Sequence, residues 1–355
     1  MKGTGKWTVQ QAVELSVAIP TIAASLDSRF LSGLKEERVE AAKVFASGGI
    51  HNAAQIESNM GAGVSERAAS KEAELLGFDN YISPYATASG EDILRGVNYA
   101  SAAAGIREET GRQLGGRISF SGQVNNYKNT VSQMVNMLGD QDTAVRYLSK
   151  CIFSIGLGNN DYLNNYFMPI YYSTGSQYTP DQYADVLLKQ YSQQIEIMYK
   201  YGARKFVLIG VGQIGCSPNE LANNSPDGQK CVSRINAANQ IFNSKLKSLV
   251  DRFNSQLADA HFIYINAYGI FQDMLNDPAA YGFSVTNAGC CGVGRNNAQI
   301  TCLPMQLPCP DRNDYLFWDA YHPSEAANII VGSRSYHAQS SSDAHPYDIE
   351  HLARV

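Results

Sequence analysis

The chain has 355 residues, 44% of them hydrophobic and 17% charged, with a formal net charge of -5. That length can bury one large core or two modest ones. The mild acidity excludes the basic footprint that nucleic acid or an anionic membrane requires, and no run reaches eighteen uninterrupted apolar residues, so no membrane span is expected.

Residues 1–48 read as helical. Thr8 can cap a segment carrying Val9, Ala12, Val13 and Val17 at helical spacing. Ser32 to Phe45 forms a second helical run with Lys35, Glu36, Glu37 and Arg38 on one face. Lys2 and Lys6 precede the apolar run Leu15 to Leu26, which superficially resembles a signal peptide. Gln10, Gln11, Glu14 and Pro20 in or beside that run argue against one. Residues 49–73 are dominated by Gly, Ala, Ser and Asn and read as linker.

From Glu74 onward, strands and helices alternate. Apolar runs rich in β-branched residues predict strands at Val97–Ala100, Cys151–Leu157, Phe206–Val211 and Phe262–Ile265. Helical periodicity predicts Asp181–Tyr201, with Tyr183, Val186, Leu187 and Tyr191 on a face. It also predicts Val232–Leu257, with Ile235, Ala238, Ile241, Leu246 and Leu249 inward. This alternation argues for a parallel sheet covered on both faces.

Of the seven cysteines, six lie in the last 140 residues. They are Cys216, Cys231, Cys290, Cys291, Cys302 and Cys309; the seventh is Cys151. None forms a Cys-x-x-Cys pair, and no His stands near at zinc-ligand spacing. Disulfides are therefore expected rather than a metal. Asn223-Asn224-Ser225 is a glycosylation acceptor, consistent with secretion.

Four motifs could carry chemistry. Asp319-Ala-Tyr-His322, stopped by Pro323, places a carboxylate three residues before an imidazole. On one tight turn the Asp can accept Nδ1–H and leave the opposite nitrogen as a general base. Gly156-Leu-Gly-Asn-Asn-Asp161 follows a predicted strand, where ligands of open α/β sheets bind. Asn160 there can offer its amide to a developing oxyanion, worth roughly 3–4 kcal/mol. Gly96-Val-Asn-Tyr-Ala-Ser-Ala-Ala-Ala-Gly105 runs from a strand into a small-residue loop whose amides could do the same. Gly210-Val-Gly-Gln-Ile-Gly215 matches a dinucleotide fingerprint, but Cys216-Ser-Pro and a polar loop to Gly228 follow it instead of a helix, so no cofactor is expected. Taken singly, each motif is equally what an ordinary turn looks like.

Taken together, with the connecting text, they resemble the plant GDSL esterase/lipase family of the SGNH hydrolase superfamily over about 74–355. Residues 146–171, Lys205–Glu220, Thr286–Cys309 and Phe317–Asn328 carry the likeness. The resemblance implies a three-layer α/β/α, flavodoxin-like parallel sheet in an extracellular enzyme acting on small-molecule or lipid esters. It implies His322 as general base, Asp319 as its orienting carboxylate, Asn160 and Gly105 as oxyanion-hole donors, and the late cysteines as a disulfide set. It implies neither cofactor nor metal.

The family's nucleophile has no counterpart. Its first strand ends in Gly-Asp-Ser-Leu, and no Gly-Asp-Ser occurs in this sequence. The nearest text is Leu26-Asp27-Ser28, without the Gly and within a helical pattern. Residues 1–48 instead resemble the helical domain of 6-phosphogluconate dehydrogenase, with Lys2 and Arg29 at positions that contact the sugar acid and its phosphate. The chain therefore reads as a chimera: a dehydrogenase-like helical fragment, a linker, and a hydrolase body lacking its first central strand. That strand belongs between Val97–Ala100 and Cys151–Leu157. Burying about five apolar side chains there would contribute around 10 kcal/mol, comparable to the roughly 5–15 kcal/mol of a whole domain. Val17–Leu26 is a poor substitute, because Pro20 would interrupt the ladder.

Overall fold

A computed structural model describes residues 64–78, 81–303 and 305–355. Lys2, Ser28, Arg29, the predicted helices within 1–48, the Val17–Leu26 segment and linker residues 49–63 lie outside the described residues.

The first described element is helix α1, Val64–Leu75. The last part of the expected linker is thus helical, which its alanines favour. Two short strands follow, β1 (Ser83–Pro84) and β2 (Val97–Asn98), paired in parallel with each other. Helix α2, Phe120–Leu138, is capped by the Ser119 hydroxyl, which accepts from the Gly122 amide, and ends at left-handed Gly139. Strand β3 is Ile152–Ile155. Helix α3, Pro180–Lys200, opens with Pro180 in its first turn and a reciprocal capping box between Thr179 and Gln182. Strand β4 is Lys205–Ile209, followed by short helix α4, Pro218–Asn224, and long helix α5, Ser233–Gln256. Strand β5 is His261–Ile265, and helix α6 is Ala267–Asn276. Strands β6 (Val285–Gly289), β7 (Gly292–Val293), β8 (Ile300–Thr301) and β9 (Tyr315–Phe317) form two small pairs, β6 with β9 and β7 with β8. Helix α7, Glu325–Tyr336, is capped by Ser324, and β10 (Ala344–His345) closes the main sheet.

That sheet has the order β10-β5-β4-β3, with β3, β4 and β5 parallel and β10 antiparallel at one edge. Strands β4 and β5 are buried on both faces, which is why they read as unbroken apolar runs. Alternate residues supply two cores. Phe206, Leu208, Phe262 and Tyr264 pack with α2, α3 and α5 on one face, where the Phe206 and Phe262 rings stack at 4.5 Å. Val207, Ile209, Ile263 and Ile265 pack with α6 and α7 on the other. This is the expected α/β layering. The predicted inward residues Tyr183, Leu187, Tyr191, Ile235, Ala238 and Leu246 are all at or near zero exposure.

At the opposite edge no described strand pairs with the outer side of β3. Among the described residues β3 pairs only with β4, and β2 only with β1. No described strand joins β2 to β3, which is where the family's first strand is expected. Helix α1 packs along α7 beside this edge. It buries Glu72, whose carboxyl is pushed up to about 7 by loss of solvent, offset only in part by the hydroxyls of Ser335 on α7 and Ser154 on β3. One Glu72 oxygen has no hydrogen-bond partner.

Candidate active site

His322 lies between β9 and α7, on a turn built by Asp319. One carboxylate oxygen of Asp319 accepts the backbone amides of Tyr321 (2.9 Å) and His322 (2.8 Å). This local wrapping brings the imidazole back over the carboxylate, with Nδ1 2.9 Å from each oxygen. Burial alone would raise the Asp319 pKa. The His322 hydrogen bond and charge, with the two amides, outweigh it and hold the group below the usual carboxylate range. Asp319 is thus an ionised acceptor that fixes the ring. Among the described residues Nε2 of His322 has no hydrogen-bond partner. The turn is held from both sides. Gly289 sits so close that a Cβ would lie 2.9 Å from the Asp319 carbonyl carbon, and the Thr301 hydroxyl approaches the second carboxylate oxygen at 3.4 Å.

Asn160 follows β3, as a residue at the carboxyl end of a parallel strand. Its amide donates to the Ala104 carbonyl at 2.9 Å, and its oxygen accepts from Asn164 at 2.8 Å. An amide carries two N–H donors, so one remains beyond the Ala104 bond. Asn160 and Gly105 are therefore neighbours, joined across 56 positions of sequence through Ala104.

Asp161 was not singled out from the sequence, yet it organises this loop. It is fully buried and accepts from the Ile106 amide (2.8 Å), the Arg107 amide (3.1 Å) and the Thr110 hydroxyl (2.7 Å). Burial raises its pKa to about 6 against the pull of those donors. A Cβ at Gly105 would meet Asp161 Oδ1 at 2.6 Å, so only glycine admits the carboxylate this closely. The signal in the sequence was its place directly after Asn160, but nothing in that text distinguishes a buried carboxylate from an exposed one.

The segment after β4 touches both halves. The Gly212 amide donates to the Asn159 side chain at 3.3 Å, and farther on, in α4, the Asn219 backbone amide donates to the Ala320 carbonyl at 2.9 Å. Gly212 belongs to the glycine-rich stretch Gly210–Gly215, which ends in a single 3-10 turn. One correction follows: α4 occupies part of the stretch expected to lack a helix, because Pro218 opens a first turn readily. The late cysteines pair as Cys216–Cys231, Cys290–Cys309 and Cys291–Cys302, while Cys151 is free. Two of these bridges lie in the segment that leads into β9 and the His322 turn.

Comparison with known proteins gives matches to two family models. The model of the 6-phosphogluconate dehydrogenase C-terminal domain matches residues 1–72. The GDSL-like Lipase/Acylhydrolase model matches residues 54–335. The chain is 71% identical over 282 residues to GDSL esterase/lipase At4g18970 of Arabidopsis thaliana, covering 79% of this chain and 78% of that protein. It is 70% identical over 283 residues to GDSL esterase/lipase At5g45670 of the same plant, covering 80% and 78%. Family model and relatives agree, and the chain belongs to the GDSL-like lipase/acylhydrolase family.

Proposed function

We propose that the chain is a carboxylic-ester hydrolase by descent, of the Ser-His-Asp type, impaired or inactive because its sequence supplies no nucleophilic serine. The observation that carries this reading is the His322–Asp319 pair: an oriented imidazole whose outer nitrogen has nothing described to deprotonate. In the family mechanism a serine hydroxyl would give its proton to His322 Nε2 and attack the ester carbonyl. Asn160 and Gly105 would stabilise the resulting oxyanion. Removing the serine of such a triad costs on the order of 10^6 in kcat. A water activated by His322 would leave only weak turnover.

Incubation with short p-nitrophenyl esters tests this. The reading expects turnover near background. Robust turnover abolished by His322→Ala would refute the impairment, and turnover that survives His322→Ala would mean that the site lies elsewhere. The family points to an extracellular setting, and the three disulfides favour an oxidising one.

A second reading is a non-catalytic lipid- or carbohydrate-binding relic, favoured by a site lining retained without its nucleophile. A ligand-induced thermal shift without turnover supports it. A 6-phosphogluconate-binding fragment rests only on Lys2, Arg29 and the match over residues 1–72. Absence of binding by calorimetry disposes of it.

A further inference from the structure

From Asn296 to Pro310 the chain carries no Asp, Glu, Lys, Arg or His. Loops in water are normally polar, because their backbone and side chains face solvent. Here large apolar side chains face out instead. Met305 is 99% exposed and Leu307 89%, with Leu303 and Ile300 at 44% and 43%. Val293 on β7, opposite Ile300, is also exposed. Grouped exposure of this kind on one loop marks a contact surface.

The loop is built to hold that display. Cys291–Cys302 and Cys290–Cys309 tie it at two levels. Inside it the Leu303 amide donates to Gln306 Oε1 at 3.1 Å, and Gln306 Nε2 donates to the Gly292 carbonyl at 2.5 Å. The flanking charges are occupied. Arg295 donates to the carbonyls of Ser225 and Pro226, Arg312 lies over the Trp318 ring at 5.0 Å, and Asp311 accepts from the Asn313 amide. The loop is also continuous with the catalytic turn. The Cys290 and Cys291 amides donate to the carbonyls of Phe317 and Trp318, and Thr301 reaches Asp319.

We propose that this loop is a lipid-docking collar, inserting Leu303, Met305 and Leu307 into the surface of an aggregated, electrically neutral ester lipid beside the His322 turn. The inference rests on the ester-hydrolase reading and narrows it to long-chain acyl substrates presented at an interface. A neutral surface is indicated because the loop offers no cation and the chain is net acidic, so attraction to anionic headgroups is lacking while apolar insertion remains. A protein partner or a second copy would bury the same side chains, and the test separates them.

Flotation of the full, oxidised chain with zwitterionic phosphatidylcholine vesicles and with triolein droplets reads the partition coefficient directly, and needs no turnover. The wild type is expected to float with both, undiminished in 1 M salt. The triple variant L303S/M305S/L307S should partition at least about tenfold less, the ratio one inserted aliphatic side chain supplies. The control I170S/Y171S, two exposed apolar positions outside this loop, should match the wild type. Counting free thiols and melting each variant confirms that the fold is retained. Equal partition of the triple variant overturns the proposal. So does a wild type that ignores neutral lipid, or one that binds only anionic vesicles and releases in salt. Self-association in sedimentation velocity that the triple variant loses, without lipid partition, assigns the surface to a second copy. Hydrolysis of short soluble esters without partition sinks the collar and leaves the ester reading standing. Partition without hydrolysis supports the collar whatever the fate of the chemistry.

Discussion

Strands β4 and β3 are neighbours in one sheet with opposite fortunes. Strand β4 is paired on both sides, stacks Phe206 on Phe262, and leads into a segment that contacts both the Asn159 and the Ala320 sides of the site. Strand β3 is paired on one side only among the described residues, and Ser154 in its middle is exposed. The half built around β4, β5 and the His322 turn retains its packing, its disulfides and an oriented imidazole. The half around β2 and β3 holds the Asn160–Ala104 contact, and among the described residues no strand lies between its two strands. In a parallel sheet with its site at the strand ends, one strand supplies packing and chemistry together.

The sharpest way to break this comparison is to supply what one half lacks. Replacing residues 1–63 by an apolar strand ending in Gly-Asp-Ser-Leu should raise p-nitrophenyl ester turnover on the order of 10^6, and the same graft with alanine for its serine should not. A graft that folds and stays inert would mean that the opening between β2 and β3 is not the site's missing part.

The next effect belongs to the intact half. Arg334 is buried between Asp343 at 2.6 Å and Asp273 at 2.8 Å. Asp343→Ala leaves a buried cation short of its partner and should cost about 3–5 kcal/mol in urea unfolding. A loss below about 1 kcal/mol would show that this half is looser than its packing implies.

The edge beside β3 makes a pH-dependent prediction. The folded chain holds the Glu72 proton to about pH 7, whereas the unfolded chain releases it near 4.5. Stability from this group is therefore fully present below about 4.5, falls as pH rises between those values, and is lost above 7. The total is on the order of 3 kcal/mol. Asp161, raised to about 6, contributes to the lower part of the same window. Glu72→Gln should raise the melting temperature at pH 8 and flatten the slope of stability between about 4.5 and 7. An unchanged slope would show that Glu72 is solvated in the folded chain.

The smallest effect is one residue away. Lys71 pairs with Glu74 at 2.8 Å on the outer side of α1, where Glu74 is largely exposed. Lys71→Ala should change stability by less than about 1 kcal/mol. A larger loss would mean that α1 depends on its surface more than on its contact with α7.

Much of the fold was legible because burial on both faces writes itself as apolar runs. Phe206–Val211 and Phe262–Ile265 lie within two residues of β4 and β5. The Val97–Ala100 prediction ran too long, because its only described partner, β1, has two residues. Helix α1 was hidden in an Ala- and Ser-rich stretch that also suits a linker, and its close contact with α7 is one no local pattern announces. The His322–Asp319 pairing follows from local spacing, whereas the Asn160–Ala104 contact depends on tertiary structure. Cysteine pairing was illegible for a combinatorial reason, since six cysteines admit fifteen connectivities.

The central claim is tested most directly by turnover of p-nitrophenyl butyrate by the purified chain, alongside His322→Ala. The account predicts that both stay near the uncatalysed rate. Rapid hydrolysis that His322→Ala abolishes would contradict it, since the imidazole would then be serving a nucleophile that the sequence is argued not to supply.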